Sequence, residues 1–249
     1  MMRTVSDWGG NIAALVLVIA VNALANGLPI GGQTTGEISA KYSSLFTPAG
    51  FTFSIWGLIY LGLTAFVIYQ SLPAQRDSAT LARISLPFKL NCIFNAVWIF
   101  AWHYDQLLLS LVLMVAILGT LIVIYRVVGE MSGGAVERVI VGLPFRIYTG
   151  WITVALIANI SAVQSGWGWN DLGLTAIEWT WLKLAMAGTI GATVVAQRRD
   201  PVYILVIAWA AFGIFSKQSA TPEVAGAAIT LSILAALLAV IATVRGRLA

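Results

Sequence analysis

The chain has 249 residues, 59% of them hydrophobic and 10% charged, with a formal net charge of +4. A soluble domain carries about 25% charged residues, so this composition, with a mean hydropathy of +0.90, excludes an ordinary water-soluble fold and implies an integral membrane protein. Nucleic acid is excluded as a partner, because the positive charge follows membrane topology instead.

Apolar runs predict eight membrane spans, at about 11–28, 49–71, 86–102, 106–128, 139–163, 172–196, 202–216 and 222–244. The expected fold is therefore all-α, a polytopic helix bundle. Polar loops separate the runs, from Gly31-Gly32-Gln33-Thr34-Thr35-Gly36 after the first to Lys217 and Thr221 before the last. The run from Ile12 lacks a short basic segment before it and an A-x-A site after it, and reads as a span rather than a cleaved leader. Arg3, Arg76, Arg83, Lys89, Arg126, Arg138, Arg198, Arg199, Arg245 and Arg247 fall on one side of this layout, and only Lys41 and Lys217 on the other. That bias places both termini in the cytoplasm of a multi-pass protein of the cell (inner) membrane. Glu37, Asp105, Asp171 and Glu223 fall on the outer side.

The second span, PAGFTFSIWGLIYLGLTAFVIY, holds Trp56 and Tyr60 one helical turn apart. They either wall a pocket for a flat apolar ligand or pack against a neighbouring helix. In the third span Asn91, Asn95, Trp98 and Trp102 recur at i, i+4, i+7 and i+11, one stripe along one face. Two amides in hydrocarbon need partners. The stripe is either a helix–helix seam joined by asparagines or a surface that stacks a planar ligand and bonds its polar edge. In the fifth span Tyr148, Trp151 and Ala155 share a similar stripe, with Asn159 a turn beyond. Arg146, near the cytoplasmic end, snorkels to headgroups or meets a ligand carboxylate.

Several segments carry the pattern of a known family. Lys41-Tyr42-Ser43-Ser44-Leu45 keeps a Y-x-x-L, although a preceding Trp and a following Lys-Pro are missing. Pro48-Ala49-Gly50-Phe51-Thr52-Phe53 and Ser54-Ile55-Trp56-Gly57-Leu58-Ile59-Tyr60 match P-P-G-W-V-F-G-P-V-W-T-L-L-Y with one residue missing between Phe53 and Ser54. Asn95-Ala96-Val97-Trp98 matches N-x-x-W, and Pro144 to Asn159 is similar to P-Y-x-x-W…N, with Phe145 at the Tyr position. Over about residues 10–165 the chain thus resembles the tryptophan-rich sensory protein family, also called the translocator protein or peripheral benzodiazepine receptor family. The resemblance implies a five-helix core over 1–165, followed by three added helices over 166–249. It also implies a site under the first loop for porphyrin or haem-like tetrapyrroles, sterols and isoquinoline-type ligands. Tyr42, Trp56, Tyr60, Asn91, Asn95, Trp98, Trp102, Tyr148, Trp151 and Asn159 are the expected ligand-binding residues, with a tetrapyrrole as the expected bound group.

The sixth span carries Glu178 and Lys183. An intramembrane lysine demands a partner or water. Five residues turn about 500°, so this pair is off one face and Lys183 is expected to bond to another helix. Catalytic motifs are absent: there is no G-x-S-x-G, H-E-x-x-H, Walker-type loop or paired carboxylates. One cysteine, Cys92, excludes an internal disulfide, and one histidine, His103, excludes a multi-histidine metal site. The expected function is non-enzymatic: a receptor or carrier for a planar hydrophobic ligand in contact with the bilayer, with oligomerisation open. The alternatives are a secondary transporter of a small metabolite using Lys183 and Glu178, or a structural subunit of a larger membrane complex. Small residues on the sixth span (Gly188, Gly191, Ala192, Ala196) and the eighth (Gly226 to Ala228, Ala235, Ala236, Ala239) predict close helix packing there.

Overall fold

The structure, a computed structural model, describes residues 3–28, 30–131, 134–170 and 172–248, with side chains up to Arg245. Asp171 and the tip of the fourth loop, Ser132-Gly133, lie outside the described residues. The long helices are α1 (Val5–Gly27), α3 (Ile55–Ser71), α4 (Ala79–His103), α5 (Leu107–Gly129), α6 (Leu143–Trp167), α7 (Ala176–Arg198), α8 (Pro201–Lys217) and α9 (Pro222–Leu248). A short α2 (Thr35–Lys41) lies in the first loop, where no helix is expected from the sequence. All eight expected spans are helical. Six stretches among the described residues have the length and hydropathy to cross a bilayer: Val5–Gly27, Gly50–Ser71, Ala79–His103, Leu107–Gly129, Ala135–Trp167 and Pro222–Arg245. Helix α8 is apolar but shorter, at 17 residues. Helix α7, with Glu178 and Lys183, is not among the six. The protein is a multi-pass bundle of membrane helices.

Local chemistry explains the helix ends. Thr34 and Glu37 form a reciprocal cap at α2: the Thr34 N–H and hydroxyl donate to Glu37 Oε2 at 2.6 and 2.9 Å, and the Glu37 N–H donates to Thr34 Oγ1 at 3.3 Å. Those bonds favour the charged form and hold the Glu37 carboxyl below its usual range. Thr175 and Glu178 make the same box at α7. Asp200 caps α8, with Pro201 at its first position. Ahead of α6, Arg138–Gly142 winds as a π-helix. Its wider turn relieves the clash that Pro144, lacking an N–H, would otherwise make with the preceding turn.

The chain divides into two compact units, Met1–Ile38 with Trp56–Thr149, and Ser39–Ile55 with Gly150–Ala249. The core of the first unit is a triad of fully buried rings, Phe66, Phe88 and Phe145, meeting edge to face at 5.0 to 5.9 Å. Gly62 sits where a Cβ would come 2.8 Å from the Pro144 ring, so α3 and α6 touch almost backbone to backbone. At one end a buried polar network joins α1, α3 and α4. Arg3 pairs with Asp7 at 2.9 Å and donates to the Gln70 carbonyl and side chain, and Asn11 donates to Gln70 Oε1 at 3.2 Å. Ser85 donates to Asn11 Oδ1 at 3.1 Å. The Arg3 N–H also donates to the Arg76 carbonyl at 2.7 Å. The N-terminus and the α3–α4 loop therefore share one end of this unit, as the charge layout requires. At the other end Gly31, at φ +67°, faces the His103 carbonyl.

In the second unit α7, α8 and α9 pack together. Gly191 of α7 faces Ile204 and Ile207 of α8, and Gly188 faces Leu231 of α9; a Cβ at either glycine would lie under 3.0 Å from them. The 3-10 turn Gly50–Ser54 lies on α8 at Gly213, where a Cβ would come 2.0 Å from Thr52 Oγ1. The Ala49 N–H donates to the Gly213 carbonyl at 3.0 Å and the Trp209 indole to the Thr52 carbonyl at 3.0 Å. Alanine replacements should rank accordingly. We expect Gly213→Ala to lose about 1–3 kcal/mol, because the short β-branched Thr52 side chain, its Cβ included, opposes it and has no flexible end to swing away. Gly191→Ala should lose less, because isoleucine ends can swing. Gly226→Ala, with open space around it, should be neutral or gain up to about 1 kcal/mol. Thermal unfolding in detergent reads the order, and equal effects at 213 and 226 would refute the packing.

Candidate functional site

The first unit brings together the largest group of expected site residues. On α3 the Trp56 and Tyr60 rings stack at 5.5 Å with 23° between planes. The Trp56 ring meets the Tyr148 ring edge-on at 5.7 Å, joining α3 to α6. Asn95 Nδ2 on α4 donates to the Tyr148 hydroxyl at 2.9 Å, and Asn22 Nδ2 on α1 donates to Asn95 Oδ1 at 3.0 Å. Four helices therefore converge on one aromatic and amide cluster. An interhelical side-chain bond in a membrane averages about 0.6 kcal/mol, so these two contribute roughly 1 kcal/mol. Their larger effect is to fix which edge of Tyr148 and Asn95 faces inward.

One turn beyond Asn95, Trp98 stacks on Trp102 at 5.5 Å with 16° between planes. The Trp102 indole donates to the Thr35 carbonyl at 3.3 Å, tying α4 to the start of α2. The Trp98 indole nitrogen and the Tyr60 hydroxyl are buried and have no hydrogen-bond partner among the described residues. A buried donor left unpaired costs about 1–3 kcal/mol, so both are poised for an acceptor. Asn91 separates from this group. Its Nδ2 donates to the Ile117 carbonyl at 3.1 Å and to Thr120 Oγ1 at 2.9 Å, joining α4 to α5. On the single stripe read from the sequence, Asn91 serves the seam and Asn95 the aromatic cluster.

Sequence reasoning missed Asn22. The signal was present: Asn11, Leu15, Val18 and Asn22 repeat the i, i+4, i+7, i+11 spacing of the α4 stripe, and Asn11, Leu15 and Val18 are buried. His103 points its Nδ1 at the Ile99 carbonyl of its own helix, at 2.7 Å.

The remaining expected residues belong to the second unit. Trp151 is buried and meets Phe53 edge-on at 5.9 Å. Asn159 is buried on α6. Tyr42 is half-buried, with the Lys41 ammonium 5.2 Å from its ring centre. Thr153 and Tyr203 share a hydrogen bond of 2.7 Å. Lys183 bonds another helix, as expected: its ammonium donates to Gln164 Oε1 on α6 at 2.7 Å and lies 5.7 Å from the Trp179 ring. Lys183 is 5% exposed, and no carboxylate pairs with it among the described residues. Glu178 is committed to its cap, accepting from the Thr175 N–H and hydroxyl at 2.7 and 2.8 Å.

No curated protein and no solved structure matches the chain. The family model described as TSPO-like protein matches residues 8–241. That range begins in the first turn of α1 and ends within α9, so it takes in the aromatic cluster and all three C-terminal helices. The chain belongs to the TSPO-like protein family.

Proposed function

We propose that this protein is a receptor or carrier for a planar hydrophobic ligand, a tetrapyrrole or a sterol-like molecule, held between its helices. The observation that carries this reading is the cluster of Trp56, Tyr60, Tyr148 and Asn95 on α3, α4 and α6, with the Tyr60 and Trp98 donors of α3 and α4 unpartnered among the described residues. Aromatic faces take a flat apolar body, and buried donors on the same helices can bond its polar edge. Family membership supports the same reading. The residue missing between Phe53 and Ser54, relative to the pattern of the resemblance, would rotate the rings that follow by about 100°. The five residues Gly50–Ser54 wind as a 3-10 helix. Each turns about 20° more than an α-helical residue, roughly 100° in all, which is the size of rotation needed to offset the missing residue.

A second reading, a secondary transporter of a small metabolite, is favoured by Lys183, a buried ammonium whose hydrogen-bond partner is a neutral amide. Coupled flux in proteoliposomes that disappears in Lys183→Met would support it.

Titration of protoporphyrin IX into detergent-solubilised protein should quench tryptophan fluorescence. Trp98→Phe and Tyr60→Phe, which remove one donor each and keep a ring, should weaken binding several-fold. Asn95→Ala should weaken binding as well, whereas Asn91→Ala should lower the unfolding temperature and leave binding intact. Unchanged binding in the first three variants removes the site as assigned. In the same reading both termini are cytoplasmic. Single cysteines placed at Arg76 and Arg138 in a Cys92→Ser background should label from the inside, and one at Asp105 from the outside. Labelling of positions 76 and 105 from one side contradicts the layout.

A further inference from the structure

The C-terminal halves of α7 and α9 diverge. Near their N-terminal ends the two helices are joined, with the Trp181 indole donating to the Glu223 carbonyl at 3.2 Å. At mid-length Gly188 lets Leu231 approach so closely that a Cβ would clash at 2.9 Å. Beyond that point a cleft of about 560 Å³ opens between them, within the range of about 300–1,000 Å³ typical of ligand sites. Ala192, Val195 and Ala196 form one wall, and Leu238, Ile241 and Ala242 the other. Arg199 and Arg245 stand at its mouth.

The two walls have the same pattern. Each runs apolar at i, i+3 and i+4, with arginine at i+7, so both guanidinium groups lie two turns from the start of the apolar lining. Both arginines are exposed, and neither has a hydrogen bond or ion pair among the described residues. No acidic residue follows Glu178 on α7 or Glu223 on α9. The Asp200 carboxylate beside Arg199 caps α8, accepting from the Val202 and Tyr203 N–H groups at 2.9 and 3.3 Å. Arg199 also holds a left-handed conformation, φ 51° and ψ 38°, at a helix-terminal position where glycine or asparagine is favoured. Two helix C-termini end nearby, and their partial negative charge repels an anion. The positive charge that lines this mouth is that of Arg199 and Arg245, with Arg198 beside it in the last turn of α7.

We propose that this cleft is a binding site for one anionic phospholipid of the bilayer, with an acyl chain between α7 and α9 and the headgroup phosphate between Arg199 and Arg245. The charge layout puts the mouth at the cytoplasmic leaflet, where anionic lipids meet basic clefts between membrane helices. The site belongs to the second unit and does not depend on the aromatic cluster of the first.

The test uses the full chain in neutral detergent and follows the unfolding temperature against added short-chain phosphatidylglycerol or phosphatidylcholine. Phosphatidylglycerol should raise it at far lower concentration than phosphatidylcholine. The double variant Arg199→Gln/Arg245→Gln should weaken the response to phosphatidylglycerol by roughly thirtyfold. Ala196→Trp, at an exposed wall position, should abolish it by filling the cleft with both arginines intact. Arg76→Gln removes one charge elsewhere and should leave it unchanged. Equal responses to the two lipids, an equal loss in Arg76→Gln, or a full response in Ala196→Trp would overturn the proposal. So would inorganic phosphate reproducing the rise without lipid.

Discussion

Hydrocarbon offers a polar side chain no hydrogen bonds, so every amide and hydroxyl on a membrane helix must find its partner in the protein. In the first unit that requirement decides which helix faces meet. Gln70 collects α1 onto α3 through Arg3 and Asn11, and Ser85 adds α4. Half a helix length away Asn22, Asn95 and Tyr148 connect α1, α4 and α6. Asn91 connects α4 to α5 through a backbone carbonyl and Thr120. Each bond is weak, and each excludes the helix rotations that would leave an amide facing lipid.

Close backbone approach is the second organising force. Without a hydrophobic drive between helices, packing gains come from dispersion, and dispersion favours surfaces that can come near. Gly62 meets Pro144 in the first unit. In the second, Gly150 admits Val206 and the Tyr203 carbonyl, and Gly213 admits the turn that begins at Gly50. That turn is held by backbone hydrogen bonding at Ala49 and by the Trp209 indole, with the Phe51 ring against Trp209 at 5.5 Å. The segment richest in family-like residues is thus split: its 3-10 portion packs on α8, and its α-helical portion carries Trp56 and Tyr60.

These two constraints leave few groups unmatched, and the exceptions concentrate the chemistry. Among the described residues of the first unit, the Trp98 indole nitrogen and the Tyr60 hydroxyl are buried without a hydrogen-bond partner, as are Thr35 Oγ1 and His103 Nε2. In the second, Lys183 is a buried cation bonded to a neutral amide, and Arg199 and Arg245 are cations beside an apolar cleft. A membrane protein that satisfied its polar groups completely would have no such features.

The helices were legible in the sequence, because lipid imposes one coarse rule on composition, which six of the helical stretches meet in both length and hydropathy. The need for partners at Asn91 and Asn95 was legible for the same reason. So was the isolation of Lys183 from Glu178, which follows from helical geometry alone. The two Thr-x-x-Glu caps at Thr34 and Thr175 were also present in the sequence as a local pattern, and α2 could have been inferred from the first. Identity of partners was a different matter. Asn91 and Asn95 lie one turn apart on one face, yet one meets α5 and the other Tyr148, because four residues turn about 40° past a full turn and rise about 6 Å, enough to face a different neighbour. Gly188, Ala192 and Ala196 read as one small-residue seam in sequence. Only the tertiary structure, where α7 and α9 touch at Gly188 and part beyond it, decides that the first is a contact and the other two line an open cleft.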